Sequence, residues 1–266
     1  MIKPIPFLFA ALIGAGVVAN SAFTSQADAS TEPLSFKSGP QRVSVVELYT
    51  SEGCSSCPPA DRFLSSLNDS NALWNEVVPL AFHVTYWDRL GWPDRFAKTD
   101  FDRRQRLTAR RENAGVYTPG MFRDGQEWRT WRYQNKVEGR GDSTSNSGTL
   151  TLTQTAPDFW QLDFVPAPDY EGLAAPTATL AVLGNNVYND IERGENAGRK
   201  LRHDFVVLTM DRQSLANASQ RLSATFKLDA SNLERGPGVS HAIAAWVEDD
   251  NGSPIQALGG PLPALN

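Results

Sequence analysis

The sequence predicts an α/β domain followed by an all-β, sandwich-like domain, and three observations carry that prediction. Cys54 and Cys57, the only cysteines, stand at C-x-x-C spacing between an apolar run of strand length and an amphipathic segment of helix length. Thr118-Pro119 precedes a short apolar stretch and an Asp124-Gly125 turn signal. From Leu150 onward, strand-length apolar runs are punctuated by Gly, Pro, Asn and Asp. Strand, turn, cysteine pair, helix and, later, a proline opening a strand is the order of a thioredoxin-like domain, which is therefore the fold expected first in the chain.

Residues 1–29 carry one positive charge (Lys3), an apolar run from Ile5 to Ala19 and an Ala27-Asp28-Ala29 sequence. That is the pattern of a secretory signal peptide cut after Ala29, with a core shorter than the roughly 20 residues of a membrane span. The mature chain is thus expected in the periplasm or secreted, without a stable membrane span, where a disulfide persists. Cleavage would remove Lys3 and Asp28, one charge of each sign, so the formal net charge stays at −5. That mild acidity argues against nucleic acid as a partner. A content of 41% hydrophobic residues supplies one large or two small cores.

After a polar lead-in, the first domain is expected over residues 41–138. Val43 to Tyr49 reads as a strand and Ala60 to Leu67 as a helix. Pro58 and Pro59 place the helix start near themselves, with Ser56 or Cys57 as N-cap. Asp61 falls in the first turn, where a carboxylate suits the helix dipole. Two cysteines so spaced close a small ring without moving the chain, and in the reduced form helix N–H groups stabilise a thiolate. Cys54 is read as the attacking cysteine and Cys57 as the resolving one. Rival readings of the pair are a structural disulfide and a cuprous ion held by Cys54, Cys57 and His83. Zinc wants four ligands, and the chain offers only His83, His203 and His241 besides the pair.

Val77 to His83 is a second strand, and Thr85 to Gly91 an aromatic loop. In a parallel sheet the loops at the carboxyl ends share one edge, which would bring His83, Tyr86, Trp87 and Asp88 beside the cysteines. Tyr86, Trp87 and Thr118 are candidate substrate contacts, core packing being the alternative for Trp87 and Trp92. Asp100 to Asn113 has helical periodicity, and its Arg103, Arg104, Arg106, Arg110 and Arg111 read as a solvated face. Pro119 is expected after a cis bond, where the adjacent backbone can pair with a substrate chain. Glu47 interrupts an apolar run and is read either as a buried proton relay for the cysteines or as the partner of an arginine such as Arg106.

Gly139 to Thr149 is polar and glycine-rich, which sets the domain boundary there and the second domain at 149–266. Strands are expected at Leu150 to Thr155, Phe159 to Val165, Thr177 to Val187, His203 to Thr209, Leu222 to Leu228, Ala242 to Glu248 and Ile255 to Leu258. Gly194 to Lys200 is a turn-rich link whose charges read as solvating a hairpin.

VVELYTSEGCSSCPPAD, AFHVTYWDRLGW, the arginine-rich helix, GVYTPGMF and the later RGENAGRKLRHDFVV resemble the bacterial secreted thioredoxin-like family known as domain of unknown function 1223. The resemblance covers nearly all of the mature chain and implies a thioredoxin-like fold with a β-rich C-terminal part and no established activity. The chain departs from the family pattern at Thr85, where an Asp is common, and at Arg89, Pro93 and Arg95. The function expected is exported thiol–disulfide exchange with protein thiols or disulfides as partners and no cofactor beyond the disulfide. A copper-binding module and an envelope binding protein with a structural disulfide are the alternatives.

Overall fold

In the structure, a computed structural model, residues 1–2, 33–134, 145–168, 173–218, 221–229 and 233–264 are described. The expected signal peptide beyond its first two residues, and residues 139–144 of the expected boundary, lie outside them. The contacts of Pro33–Asn266 cluster as one unit.

The first half of the chain contributes β1 (Ser35–Lys37), β2 (Ser44–Thr50), α1 (Pro58–Ser65), β3 (Val77–His83), α2 (Thr99–Arg111), β4 (Gly120–Arg123) and β5 (Gln126–Glu127). The second half contributes β6 (Gly148–Ala156), β7 (Phe159–Pro166), β8 (Thr177–Asn185), β9 (Val187–Asp190) and β10 (Lys200–His203). After these come β11 (Val206–Ser214), β12 (Ala216–Ala218), β13 (Arg221–Lys227), β14 (Ser240–Glu248) and β15 (Pro254–Pro261). An eight-stranded sheet runs β15-β14-β8-β11-β3-β2-β4-β5, a five-stranded sheet runs β1-β6-β7-β13-β12, and β9 pairs with β10. In the large sheet β2, β3 and β11 are parallel neighbours and the remaining pairs are antiparallel.

This overturns the expected fold class. The protein is mostly β, with two α-helices among the described residues, and no thioredoxin-like α/β domain stands before a separate all-β domain. The β8, β11, β14 and β15 strands, expected in the second domain, continue the sheet of β2, β3, β4 and β5. The junction is parallel: Val206 of β11 pairs with Ala81 of β3, and the Ala81 N–H donates to the Phe205 carbonyl at 2.8 Å.

The physical reason lies in the burial pattern. β6 and β7 alternate buried and partly exposed residues, as strands covered on one face do. β8 and β14 are buried at nearly every position. Leu180, Val182, Ile243, Ala245 and Val247 pack against the five-stranded sheet, and Ala181, Leu183, Ala244 and Trp246 join the core around β2 and β3. A doubly covered strand reads in sequence as a plain apolar run, and such a run does not say which sheet it enters.

Alternation sorts the residues of β2 by face. Glu47 and Tyr49 point toward α2, and Thr50 points toward α1, where its hydroxyl donates to Asp61 at 3.0 Å. On the α2 face, Tyr49 stacks on Phe82, Phe82 meets Phe101 edge-on, and the Arg104 guanidinium lies over Phe82 and Trp246. Arg104 binds Glu47 of β2 and, at 2.8 Å, Glu248 of β14, whose other oxygen is 3.1 Å from Arg212. Tyr49 donates to Glu47 at 2.8 Å and Trp246 to Glu248 at 3.1 Å. So one member of the arginine-rich face is turned inward, its side chain 12% exposed, and joins strands from both halves of the chain.

Removing that guanidinium leaves the buried Glu47 carboxylate without its cation and Glu248 with Arg212 alone. Arg104→Met is expected to cost about 3–5 kcal/mol in urea unfolding at neutral pH. Burial pushes the Glu248 carboxyl up, but Arg104 and Arg212 more than reverse this and hold it below its usual range. Its stabilisation is therefore present above the unfolded carboxylate value, near 4.3, and is lost as pH falls through the lower folded value. The wild type should lose stability on acidification in that range, and the Arg104→Met deficit should narrow, since protonation relieves the buried acids.

Candidate functional site

β2 ends at Thr50, and the chain turns through Ser51, Glu52 and Gly53 into the cysteine pair. The Cys54 N–H donates to the Ser51 carbonyl at 3.1 Å and the Cys57 N–H to the Cys54 carbonyl at 3.2 Å. Cys57 is the N-cap residue of α1, with proline in the first turn and its carbonyl accepting from Ala60 and Asp61. Cys54 and Cys57 form a disulfide with Cα atoms 5.4 Å apart. Both are 0% exposed, whereas Ser55 and Ser56 between them face solvent. The Cys54 sulfur lies 3.4 Å from the Ser56 hydroxyl.

The peptide before Pro119 is cis, and Gly120 follows directly as the partner of Tyr49 in β2. A Cβ at Gly120 would stand 2.8 Å from the Tyr117 carbonyl oxygen, so the strand can enter there only as glycine. The Trp87 indole N–H donates to Thr118 Oγ1 at 2.7 Å, and Tyr86 donates to Gln105 at 3.2 Å. Burial lifts the Tyr86 phenol to about 12 against the pull of hydrogen bonding with Gln105 and Thr118. Thr118, Tyr86 and Trp87, the expected substrate contacts, are thus gathered in one place. Trp87 is also packed against the core, and its Cβ would lie 3.2 Å from a Cβ at Gly53, which ties this group to the cysteine turn.

The remaining wall comes from the connection between β9 and β10, read in sequence only as a solvated link. Glu195 accepts from the Ser55 N–H at 3.1 Å and the Ser55 hydroxyl at 2.6 Å. Those bonds hold its carboxyl below the usual range. The buried Asn196 amide donates to the Glu52 carbonyl at 2.8 Å and the Cys54 carbonyl at 3.0 Å. Two residues 140 positions downstream thereby close over the C-x-x-C turn.

Behind the turn lies a group of buried ionisable side chains: Glu52, Asp61, His83, Asp94 and His203. His83 Nδ1 is 2.6 Å from Asp94 Oδ2, which also accepts the Glu52 N–H at 2.9 Å. Glu52 Oε2 accepts from Trp92 at 2.8 Å and Asn189 at 2.9 Å, while Oε1 lies 3.4 Å from His203 Nε2. The two imidazoles meet edge-on with centroids 4.9 Å apart. Burial pushes His83 down, but Asp94 more than reverses this and its pKa is raised. Burial pushes Asp94 up, and His83 more than reverses that. Asp61 is raised by burial, which outweighs the lowering by His203 and His83. Glu52 Oε1, His83 Nε2 and both ring nitrogens of His203 lack a hydrogen-bond partner.

Glu47 is not brought to this group. It lies across the sheet from Asp61, bound to Arg104 rather than to Arg106. Among the described residues no cluster of three or more His, Cys, Asp or Glu is arranged to hold a metal ion. Sequence reasoning passed over Glu52, Asp61 and Asp94 as site residues, although an acid two residues before the first cysteine of the pair was a usable signal.

The sequence model of a family described as "Protein of unknown function (DUF1223)" matches residues 45–247. Among solved structures, a protein from Agrobacterium tumefaciens is similar at 21% identity and a TM-score of 0.54, covering 86% of this chain and 99% of its own. HBP35 of Porphyromonas gingivalis is similar at 17% identity and a TM-score of 0.59, covering 85% of this chain and 76% of its own. At these identities the likeness is one of fold. No curated protein sequence matches.

Glu195 accepts both hydrogen bonds that Ser55 donates. Glu195→Ala is expected to raise the rate at which dithiothreitol reduces the disulfide. Quenching with an alkylating agent and counting free thiols by mass checks it; an unchanged rate would mean that Glu195 does not guard the pair.

Proposed function

We propose that this chain, which belongs to the DUF1223 family, exchanges disulfides with protein thiols through Cys54 and Cys57. The observation that carries the reading is the local frame of the disulfide. It closes a two-residue turn of exposed serines, the first of them contacted by Glu195, at the N-cap of a helix and next to Trp87, which packs by Gly53 and donates to Thr118.

With Glu195 displaced from Ser55, a partner thiolate attacks the Cys54 sulfur. A partner–Cys54 disulfide forms, the Cys54–Cys57 bond breaks, and Cys57 leaves as a thiolate at the start of α1, where helix N–H groups favour negative charge. The partner's second thiolate then attacks its own sulfur in the mixed disulfide. The partner is oxidised by two electrons and the cysteine pair is reduced by two. Run in reverse, the reduced pair opens a partner disulfide, and the relative potentials set the direction. Cys54 takes the attack because exposed Ser55 and Ser56 adjoin it and the Ser56 hydroxyl can donate to its thiolate, while Cys57 is anchored in the helix. Thr118, Tyr86 and Trp87 form the wall along which the partner chain lies. The signal-like N-terminal sequence puts this chemistry in the periplasm or outside the cell, where disulfides persist.

The test is the reduction potential of the pair, measured by equilibration in graded thiol buffers, alkylation and mass counting of free thiols. A value above roughly −230 mV is expected, that of a labile, exchange-ready bond; a value below about −300 mV would mark a structural staple and overturn the proposal.

A further inference from the structure

Buried polar atoms are paired in the great majority of cases, and one left bare calls for an explanation. Thr179 departs from that rule on the α2 face of the large sheet: it is 1% exposed, and its hydroxyl has no hydrogen-bond partner. It stands in β8 with Arg212 of β11 and Trp246 of β14 as its cross-strand partners. Residues so paired point to one face, and there the Arg104 guanidinium of α2 lies 5.2 Å from the Trp246 ring centre. Thr179 is therefore directed into the cleft of about 430 Å³ that it lines together with Leu107, Arg110, Arg111, Met210 and Arg212. That volume falls within the roughly 300–1,000 Å³ of small-molecule sites.

The lining carries more positive charge than it pairs, in a chain whose formal net charge is −5. Arg103 is met by Asp100, and Arg104 by Glu47 and Glu248. Asp250 accepts the N–H groups of Ala174 and Ala175 at 3.0 and 2.7 Å. Arg111 donates to Thr108 at 3.2 Å, and neither it nor Arg110 has an ion-pair partner among the described residues. Gly252, with φ at +79°, turns the chain so close that a Cβ there would lie 2.6 Å from Arg111 Nη1, so glycine leaves that guanidinium its room. Both contacts of Arg212, to Glu248 at 3.1 Å and Thr177 at 2.9 Å, use Nη2 alone of its donor fork. The apolar part of the wall is Met210, packed on the core, and Leu107, which is 50% exposed.

We propose that this cleft binds a small organic acid, a single carboxylate on an apolar body. The Thr179 hydroxyl and the Arg212 guanidinium, neighbours across two strands, donate to the carboxylate. Arg110 and Arg111 supply the surrounding positive charge, and Leu107 and Met210 meet the apolar body. A cation is disfavoured because Arg104 and Arg212 already take the two oxygens of Glu248. A phosphate, with close to two negative charges, is disfavoured because Asp100, Glu248 and Asp250 line the same space. One negative charge suits the surplus, and the acid gives the buried hydroxyl the acceptor that the fold withholds. The proposal is independent of the exchange reading and can fail with that reading intact.

The test titrates 3-phenylpropionate, its neutral amide and inorganic phosphate into the ¹⁵N-labelled full chain at neutral pH and follows chemical shifts. The acid is expected to bind saturably, about tenfold or more tighter than the amide, with shifts centred on α2, β8 and β11. Thr179→Val replaces the hydroxyl by a methyl group of the same shape. It should bind the acid about tenfold more weakly, the measure of one hydrogen bond to a charged group, yet melt no lower than the wild type. Arg212→Lys keeps a charge beside Glu248 but loses the planar fork, and it too should bind about tenfold more weakly. Acid and amide binding alike, phosphate binding as tightly as the acid, no saturable shifts, or shifts centred elsewhere would each overturn the proposal. Unchanged affinity in Thr179→Val would do the same. So would a Thr179→Val protein that melts well below the wild type, because the hydroxyl would then have its partner within the fold.

Discussion

A carboxylate taken fully out of water must be met by donors, and Glu52 imposes that demand two residues before Cys54. Trp92 answers from the loop after β3 and Asn189 from β9, both at one oxygen, while His203 of β10 lies 3.4 Å from the other. Its backbone is claimed as well, the N–H by Asp94 and the carbonyl by Asn196. The cysteine turn is therefore held by contacts from distant stretches of chain. Glu195 and Asn196 meet it from the loop between β9 and β10.

Arg104 plays the corresponding part on the opposite face of the sheet. There a single guanidinium between Glu47 and Glu248 commits β2 and β14 to one layer, and Tyr49 and Trp246 satisfy the carboxylates further. Both faces thus use a buried charge to join early and late parts of the sequence. Apolar packing supplies most of the favourable free energy, but it is non-directional. The ionic contacts choose which strands meet.

The chemistry of the site follows from this division. The disulfide is wholly removed from solvent, and the loop between β9 and β10 meets its turn through polar contacts to Ser55 and the Cys54 carbonyl. Beneath it, His83, His203 and Glu52 keep buried polar atoms without hydrogen-bond partners.

Much of the local structure was legible. β3 falls on Val77–His83 as the apolar run indicates, Cys57 caps α1 because Pro58 and Pro59 disallow an earlier start, and the Thr118-Pro119 bond is cis before its hairpin. These rest on covalent geometry and short-range sterics, which a sequence determines by itself. The fold class was not, because β8 and β14 are apolar on both faces and an apolar run carries no address. The role of Glu47 was settled by which face of β2 it occupies, and the partnership of Ser55 with Glu195 by contacts 140 residues apart. Only the folded chain decides such pairings, since the desolvation that makes each one necessary arises when the strands assemble.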